Sequence, residues 1–305
     1  MLRRACRLFA AFLALLLLTA CTQYTSYAET SVISGLSKDA RVVSLSGSLA
    51  QCWVLSGGSL VGVTQDAVDD HGMETGPDLA LVGTVKEPNL EAIAALSPDF
   101  ILLSADLTQH LQLDAALSDM RIAHAYYQMD TFEDYRAIME NFCRVNDPTG
   151  ARFTAHVEKV GENIERIRTD TKAALESNTP RVLLLRAFST GVKAKTDDNL
   201  AGVILDELGA HNIAYDTPSL LEELSVEAII EADPDYIFVT TMGSADAAKE
   251  YMQKTAESNP VWAELSAVKN GNYIFLPKEL FHLKPLDRWD ESYAYLSECL
   301  LEKNE

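Results

Sequence analysis

Residues 89–104, NLEAIAALSPDFILLS, return in pattern at residues 225–240, SVEAIIEADPDYIFVT. Each copy opens with a Glu in the first turn of a short helix, Glu91 and Glu227. Each then turns at a Pro-Asp pair, Pro98-Asp99 and Pro234-Asp235, and ends in a four-residue apolar strand. The offset is 136 residues for the Glu and for the Pro alike. A second pair, RVVSLS at 41–46 and RVLLLR at 181–186, repeats at an offset of 140 residues. Two units in the same order at nearly one offset predict two similar lobes, and two lobes predict a cleft between them.

Working outward, short apolar runs bounded by turn residues mark the strands: Val42 to Leu45, Leu60 to Val63, Phe100 to Leu103, Ala123 to Tyr127, Val182 to Leu185, Tyr236 to Val239 and Tyr273 to Leu276. Their near-continuous apolar character is that of strands covered on both faces, as in parallel sheets flanked by helices. Helical stretches alternate with them, among them Asn89 to Ala95, Leu200 to Leu208, Val226 to Ala232 and Asp246 to Glu257. The alternation predicts an α/β class with two doubly wound lobes. Between the lobes lie two segments rich in helix formers, Thr131 to Val145 and Ala151 to Glu176, parted by the turn Asn146-Asp147-Pro148-Thr149-Gly150. The second has room for about seven turns, roughly 39 Å at 1.5 Å per residue. A single stiff connecting helix restricts hinge motion, so closure around a ligand is expected to rotate the lobes by less than about 20°.

At the start of the chain, Arg3, Arg4 and Arg7 precede the apolar run Leu8 to Leu18, too short for a membrane span and placed as a signal peptide would be. Leu18-Thr19-Ala20-Cys21 follows. The expected organisation is a leader at 1–20, a polar tether at 21–40, an N-terminal lobe at 41–128, connecting helices at 129–178 and a C-terminal lobe at 179–305. Of 25 Lys and Arg, three lie in the leader, which leaves 22 against 45 Asp and Glu, a formal charge of −23. So acidic a body argues against nucleic-acid binding and against lying flat on anionic lipid. Beyond Cys6 and Cys21, the thiols Cys52, Cys143 and Cys299 are odd in number and widely spaced. They predict buried free thiols and no disulfide framework.

Two lobes, a long connecting helix and the segment Gly83 through Ser104, with Gly, Pro-Asn-Leu-Glu and Pro-Asp in order, resemble the substrate-binding proteins of ABC importers for vitamin B12, ferric siderophores and haem. The C-terminal PKELFHLKPLDRWDESYAYL at 277–296 resembles the closing strand, loop and helix of bacterial members, and Leu18 to Cys21 resembles their lipobox. The resemblance implies lipidation at Cys21, an extracytoplasmic location on the cell membrane through that anchor, and a monomer. It also implies docking of an ABC permease dimer through one Glu per lobe, and the matching positions are Glu91 and Glu227. A carboxylate in a helix's first turn is favoured by the unpaired amides there, by about 0.3 to 1 kcal/mol, and stays ionised for an arginine partner. Glu222, Glu223 and Glu231 are less well matched competitors.

Open α/β sheets place ligands beyond the C-terminal ends of their strands. That rule selects Ser46 to Gln51, Thr84 to Lys86, Ser104 to His110 and Tyr126 to Gln128 in the first lobe. The second lobe contributes Arg186 to Lys195, Thr240 to Ser244 and Lys278 to Lys284, with Arg288 just beyond. The candidate ligand-binding residues are therefore Ser46, Gln51, Lys86, Asp106, His110, Tyr127, Arg186, Lys193, Met242, Lys278, His282 and Arg288. The loop after the first strand reads Gly47-Ser48-Leu49-Ala50-Gln51, where the family pattern has Pro-Ser-x-Thr-Glu. Arg186, Lys193, Lys195, Lys278, Lys284 and Arg288 run against the acidic trend and point to an anionic cargo such as a ferric siderophore or haem propionates, unless Asp197, Asp198, Glu279 and Asp287 balance them. Tyr126, Tyr127, Phe188 and Phe281 are aromatics available to a ring system or to the core.

Three other readings stand beside capture of an iron chelate. Cobalamin or haem suits the same architecture, with His282 as an axial ligand and Met242 or Met73 beside it. Zinc or manganese would need several ligands such as His110, His282, Asp106 and His71 to converge. A secreted enzyme finds no G-x-S-x-G, H-E-x-x-H or phosphate-loop motif in the chain. The expected protein carries no resident cofactor and performs no chemistry.

Overall fold

The computed structural model describes residues 33, 35–222 and 225–301. The leader, Cys21, most of the tether and Glu223 lie outside the described residues. The N-terminal lobe is a five-stranded parallel sheet in the order β3-β2-β1-β4-β5. Its strands are β1 (Val42–Ser44), β2 (Gly62–Val63), β3 (Ala80–Leu81), β4 (Phe100–Ser104) and β5 (Ala123–Tyr127). In the C-terminal lobe, β6 (Arg181–Phe188), β7 (Gly191–Lys195), β8 (His211–Asn212), β9 (Tyr236–Thr241) and β10 (Tyr273–Phe275) form the order β10-β9-β6-β7, with β8 also on β6. All pairs are parallel except β6 with β7, a hairpin in which Arg186 stands opposite Lys193. The expected ligand loop at Arg186 to Lys195 is thus corrected to sheet. Its Gly191-Val192-Lys193-Ala194-Lys195 alternation is the period of a half-covered strand.

Successive strand residues point to opposite faces, and both faces are filled. Val42, Phe100 and Leu102 point one way and Val43, Ile101 and Leu103 the other. In the second lobe Val182, Leu184, Tyr236 and Phe238 oppose Leu183, Leu185, Ile237 and Val239 in the same manner. The first set from each lobe belongs to one continuous apolar core. Val157, Val160, Ile164 and Leu175 of the connecting helix run through it, and Trp289, Tyr293, Leu296 and Leu300 of the C-terminal helix Trp289–Leu301 pack alongside. Both helices are thereby fixed to both sheets.

The connecting helix is built from Ala151–Phe153, a π-turn at Thr154–Glu158 and Lys159–Leu175. Before it, Phe132–Asn146 begins with a capping box, in which Thr131 accepts from the Asp134 amide and Asp134 accepts from the Thr131 amide. Within the π-turn, His156 meets two other elements. Its carbonyl accepts from the Tyr135 hydroxyl at 3.2 Å, and its Nδ1 lies 2.9 Å from the Asp287 carboxylate.

The sequence repeat is a repeat of bonds. In the first lobe the Arg41 amide donates to the Asp99 carboxylate at 2.8 Å, and the Arg41 guanidinium donates to the Leu96 carbonyl at the end of the helix Leu90–Ala95. In the second the Arg181 amide donates to Asp235 at 2.8 Å, and its guanidinium donates to the Ala232 carbonyl at the end of Val226–Ala232. Each clamp binds a helix's C-terminus to the N-terminal end of the central strand. The opposite ends of those helices, bearing Glu91 and Glu227, therefore lie toward the C-terminal ends of the strands. Both bonds are exposed, so removing the carboxylate releases the turn at the cost of an ordinary hydrogen bond, about 0.5–1.5 kcal/mol. Asp235→Ala is expected to lower the unfolding free energy by about that amount in urea titration, and Asp99→Ala likewise; a loss below about 0.5 kcal/mol in both would show that the clamps do not stabilise the lobes.

Candidate functional site: the cleft between the lobes

At the C-terminal end of β1 the chain turns directly into the helix Gly47–Leu55. Gly47 stands where a Cβ would lie 2.7 Å from His71 Cδ2 and 2.8 Å from the Ala67 amide nitrogen, so this departure from the family loop makes room for His71. The Gly47 amide donates to Asp66 at 2.7 Å, and Ser48 Oγ lies 3.3 Å from His71 Nε2. The same helix is followed by a left-handed glycine, Gly57, just past its cap at Ser56.

His110 is fully buried in the N-terminal lobe. Its Nδ1 accepts from the Ser104 amide at 2.9 Å, which leaves the proton on Nε2 to donate to the Val85 carbonyl at 2.8 Å. Both nitrogens are used, so the ring holds the Val85 to Lys86 loop in place and has no atom left for a ligand. Tyr127 is buried too, edge-on to Phe142 at 5.3 Å, and Phe281 packs edge-on to Tyr295. All three side chains belong to the interior and not to the cleft wall where the strand-end rule put them. Burial also depresses proton affinity at His110, as it does at His71 and His282.

The C-terminal lobe faces the cleft with Arg186 at the end of β6 and with Lys278, His282 and Lys284 on the segment after β10. The carboxylates answering the two lysines come from the other lobe. Lys278 Nζ lies 3.5 Å from Asp70, and Lys284 Nζ lies 2.8 Å from Asp130 and 3.9 Å from Asp106. Burial depresses the proton affinity of Arg186, with Asp198 and Asp130 supporting its charge. His282 is held below the ordinary imidazole value first by burial and then by Lys278 and Arg186, so it is neutral near pH 7. Asp106 is raised chiefly by burial, with Lys284 opposing. At Asp130 burial acts upward, but hydrogen bonds from Lys284 and Gln128 outweigh it and hold the carboxyl low.

The remaining candidates scatter. Arg288 makes two hydrogen bonds to Glu291, at 3.0 and 2.6 Å, and lies apart from the basic group in the cleft. Lys195 pairs with Asp198, while Lys193 is exposed on the hairpin opposite Arg186. Met242 is exposed just past β9, its amide bonded to the Ala187 carbonyl. Ser46 and Gln51 are half-buried around the first turn, and Lys86 is exposed. Among the described residues no three His, Cys, Asp or Glu converge as metal ligands. Asp70 and Asp130 were missed in sequence; Asp130 sits two residues beyond the strand-end window that closes at Gln128.

Glu91 and Glu227 are both exposed. Each stands second in its helix behind a capping side chain, Asn89 accepting from the Ala92 amide and Ser225 from the Ala228 amide. Ile93 and Ile229, two residues on, seat the helices on the outer faces of their lobes.

The family model described as "Periplasmic binding protein" matches residues 42–280, more than half of the chain. The chain belongs to the periplasmic binding protein family. It is 26% identical over 219 residues to the putative ABC transporter substrate-binding lipoprotein YhfQ of Bacillus subtilis, covering 67% of this chain and 64% of that one. It is 28% identical over 200 residues to the Fe(3+)-citrate-binding protein YfmC of the same organism, covering 64% and 58%. The alignments thus span under two thirds of these relatives. The fold is similar to that of S. aureus IsdE complexed with heme, at a TM-score of 0.65 and 19% identity over 86% of this chain and 98% of that one.

The lowered histidines give the family fold here a pH signature. The unfolded chain takes up protons on these side chains below about pH 6.5, where the folded protein does not. Stability present above that pH is therefore lost as pH falls toward the lowered folded values. The urea midpoint is expected to drop between about pH 7.5 and 5, and to drop less in His110→Gln. Equal slopes for the two proteins would remove His110 from this account.

Proposed function

We propose that this chain is the extracytoplasmic substrate-binding component of an ABC importer, which captures an iron chelate in the cleft and hands it to the permease. The observation that carries the reading is the duplicated carboxylate. Two helices clamped alike to the base of two lobes present Glu91 and Glu227, uncovered, at the end where the cleft opens. A two-subunit permease offers two equivalent cationic partners, and charge-assisted bonds to arginine suit that recognition. Family membership supports the reading, as do the iron-related names of relatives. Cys21, as the lipid-modified residue, would hold the receptor at the outer membrane face as a monomer, and two or more acyl chains give stable anchoring. No catalytic role is proposed.

Haem is the second reading, favoured by His282. A neutral, half-buried imidazole between the lobes is a competent axial ligand for haem iron. Adding haem and following the Soret band in the parent and in His282→Ala separates this cargo from others.

The docking assignment is tested by Glu91→Lys with Glu227→Lys. Uptake of radiolabelled ferric chelate by cells carrying the double variant is expected to fall to background. Calorimetric affinity of the purified variant should stay within about twofold of the parent, since neither side chain reaches the cleft ion pairs. Calorimetry suits this chain because Trp53, Trp262 and Trp289 are all buried and report poorly on the cleft. Uptake that survives, or affinity that collapses, contradicts the assignment.

A further inference from the structure

Two of the cations lining the cleft, Lys278 and Lys284, are matched across the lobes. Arg186, Lys278 and Lys284 stand on the C-terminal side, with Asp70, Asp106 and Asp130 on the N-terminal side. Neighbouring charges have other obligations. Asp134 caps its helix, Lys195 pairs with Asp198, and Arg288 pairs with Glu291. Lys278 and Lys284 therefore face Asp70, Asp106 and Asp130 across the cleft, while Arg186 draws on Asp198 of its own lobe and on Asp130, in a protein whose formal charge is −20.

This arrangement discriminates among ligands by their charge pattern. A trianionic chelate seated against the basic side would take the partners of Asp70, Asp106 and Asp130 and then lie close to those carboxylates. All three carboxylates are exposed, and setting like charge against them once their cationic partners are taken disfavours such a ligand. A chelate carrying both signs replaces both partners of each pair and leaves none uncompensated.

We infer that the cleft selects a ferric chelate of low net charge with a polarised shape. Its oxygen-rich, electronegative face meets Arg186, Lys278 and Lys284, and a protonated amine faces Asp106 and Asp130. The inference rests on the receptor reading above and narrows its cargo from iron chelates in general to amine-bearing ones. Asp70, Asp106 and Asp130 become specificity-determining residues, a role that their pairing with lysines alone does not require.

The test is calorimetric titration of the full chain, purified in detergent, with three ferric complexes. One is a linear tris-hydroxamate ending in a free ammonium, the second is its N-acetyl twin, and the third is a tris-catecholate trianion. The ammonium form is expected to bind at least about tenfold tighter than its twin, with the trianion weakest. In Asp106→Asn with Asp130→Asn, the ratio between the twins should shrink to about twofold or less; loss of packing alone would weaken both twins together and leave the ratio unchanged. A thermal melt confirms that the variant is folded. If it is not, Asp70→Asn and the parent's ratio carry the test. Equal binding of the twins, or tightest binding of the trianion, overturns the inference and leaves the receptor reading standing. Failure of every ferric chelate to bind overturns both.

Discussion

One apolar core beneath two sheets is the constraint on which the rest depends. Val42, Phe100 and Leu102 from one lobe share it with Val182, Tyr236 and Phe238 from the other, and Val160, Ile164, Trp289 and Leu296 fill the space between them. Burying such side chains contributes about 1.5–3 kcal/mol each. Separating the lobes would therefore expose a large apolar area, and small rocking movements about the connecting helix are cheaper than wide opening. The cleft inherits its dimensions from this base. Ion pairs of 2.8 to 3.9 Å across its mouth are possible because the base sets the lobes at that spacing.

On that base the two ends of each lobe have separate duties. At the N-terminal ends of the strands, Arg41 with Asp99 and Arg181 with Asp235 do the same work twice. At the C-terminal ends the lobes share the exposed Glu91 and Glu227 but differ in the side chains that face the cleft. The first offers Asp70, Asp106 and Asp130, and the second offers Arg186, Lys278, His282 and Lys284. Duplicated bonds hold the scaffold, and unlike side chains give the cleft its polarity.

Much of the fold was legible because buried parallel strands are written as plain apolar runs. Val182 to Leu185 and Tyr236 to Val239 could hardly be anything else, and the Pro-Asp turns fixed where they begin. Strands β3 and β8, two residues each, carry too little pattern to read, and β7 alternates with lysine. The site was less legible. The strand-end rule selects residues near the cleft but does not tell which way a side chain turns, so His110 and Tyr127 fell in the right windows and point into the protein. Sequence neighbours such as Asp287 were natural partners for the basic residues, yet Asp287 is bonded to His156. The true partners, Asp70 and Asp130, lie over 150 residues away along the chain.

His156 has a consequence of its own. At this single residue the backbone is tied to the Tyr135 hydroxyl, and the side chain is tied to Asp287, whose segment 286–288 packs against the first lobe's helix Gly47–Leu55. The wider coil of a π-turn is the part of the rod most able to unwind or tighten. A torsional shift there would tug at two neighbouring elements in one stroke. The rod is thus spliced, at one place in its length, into the packing of the segments beside it.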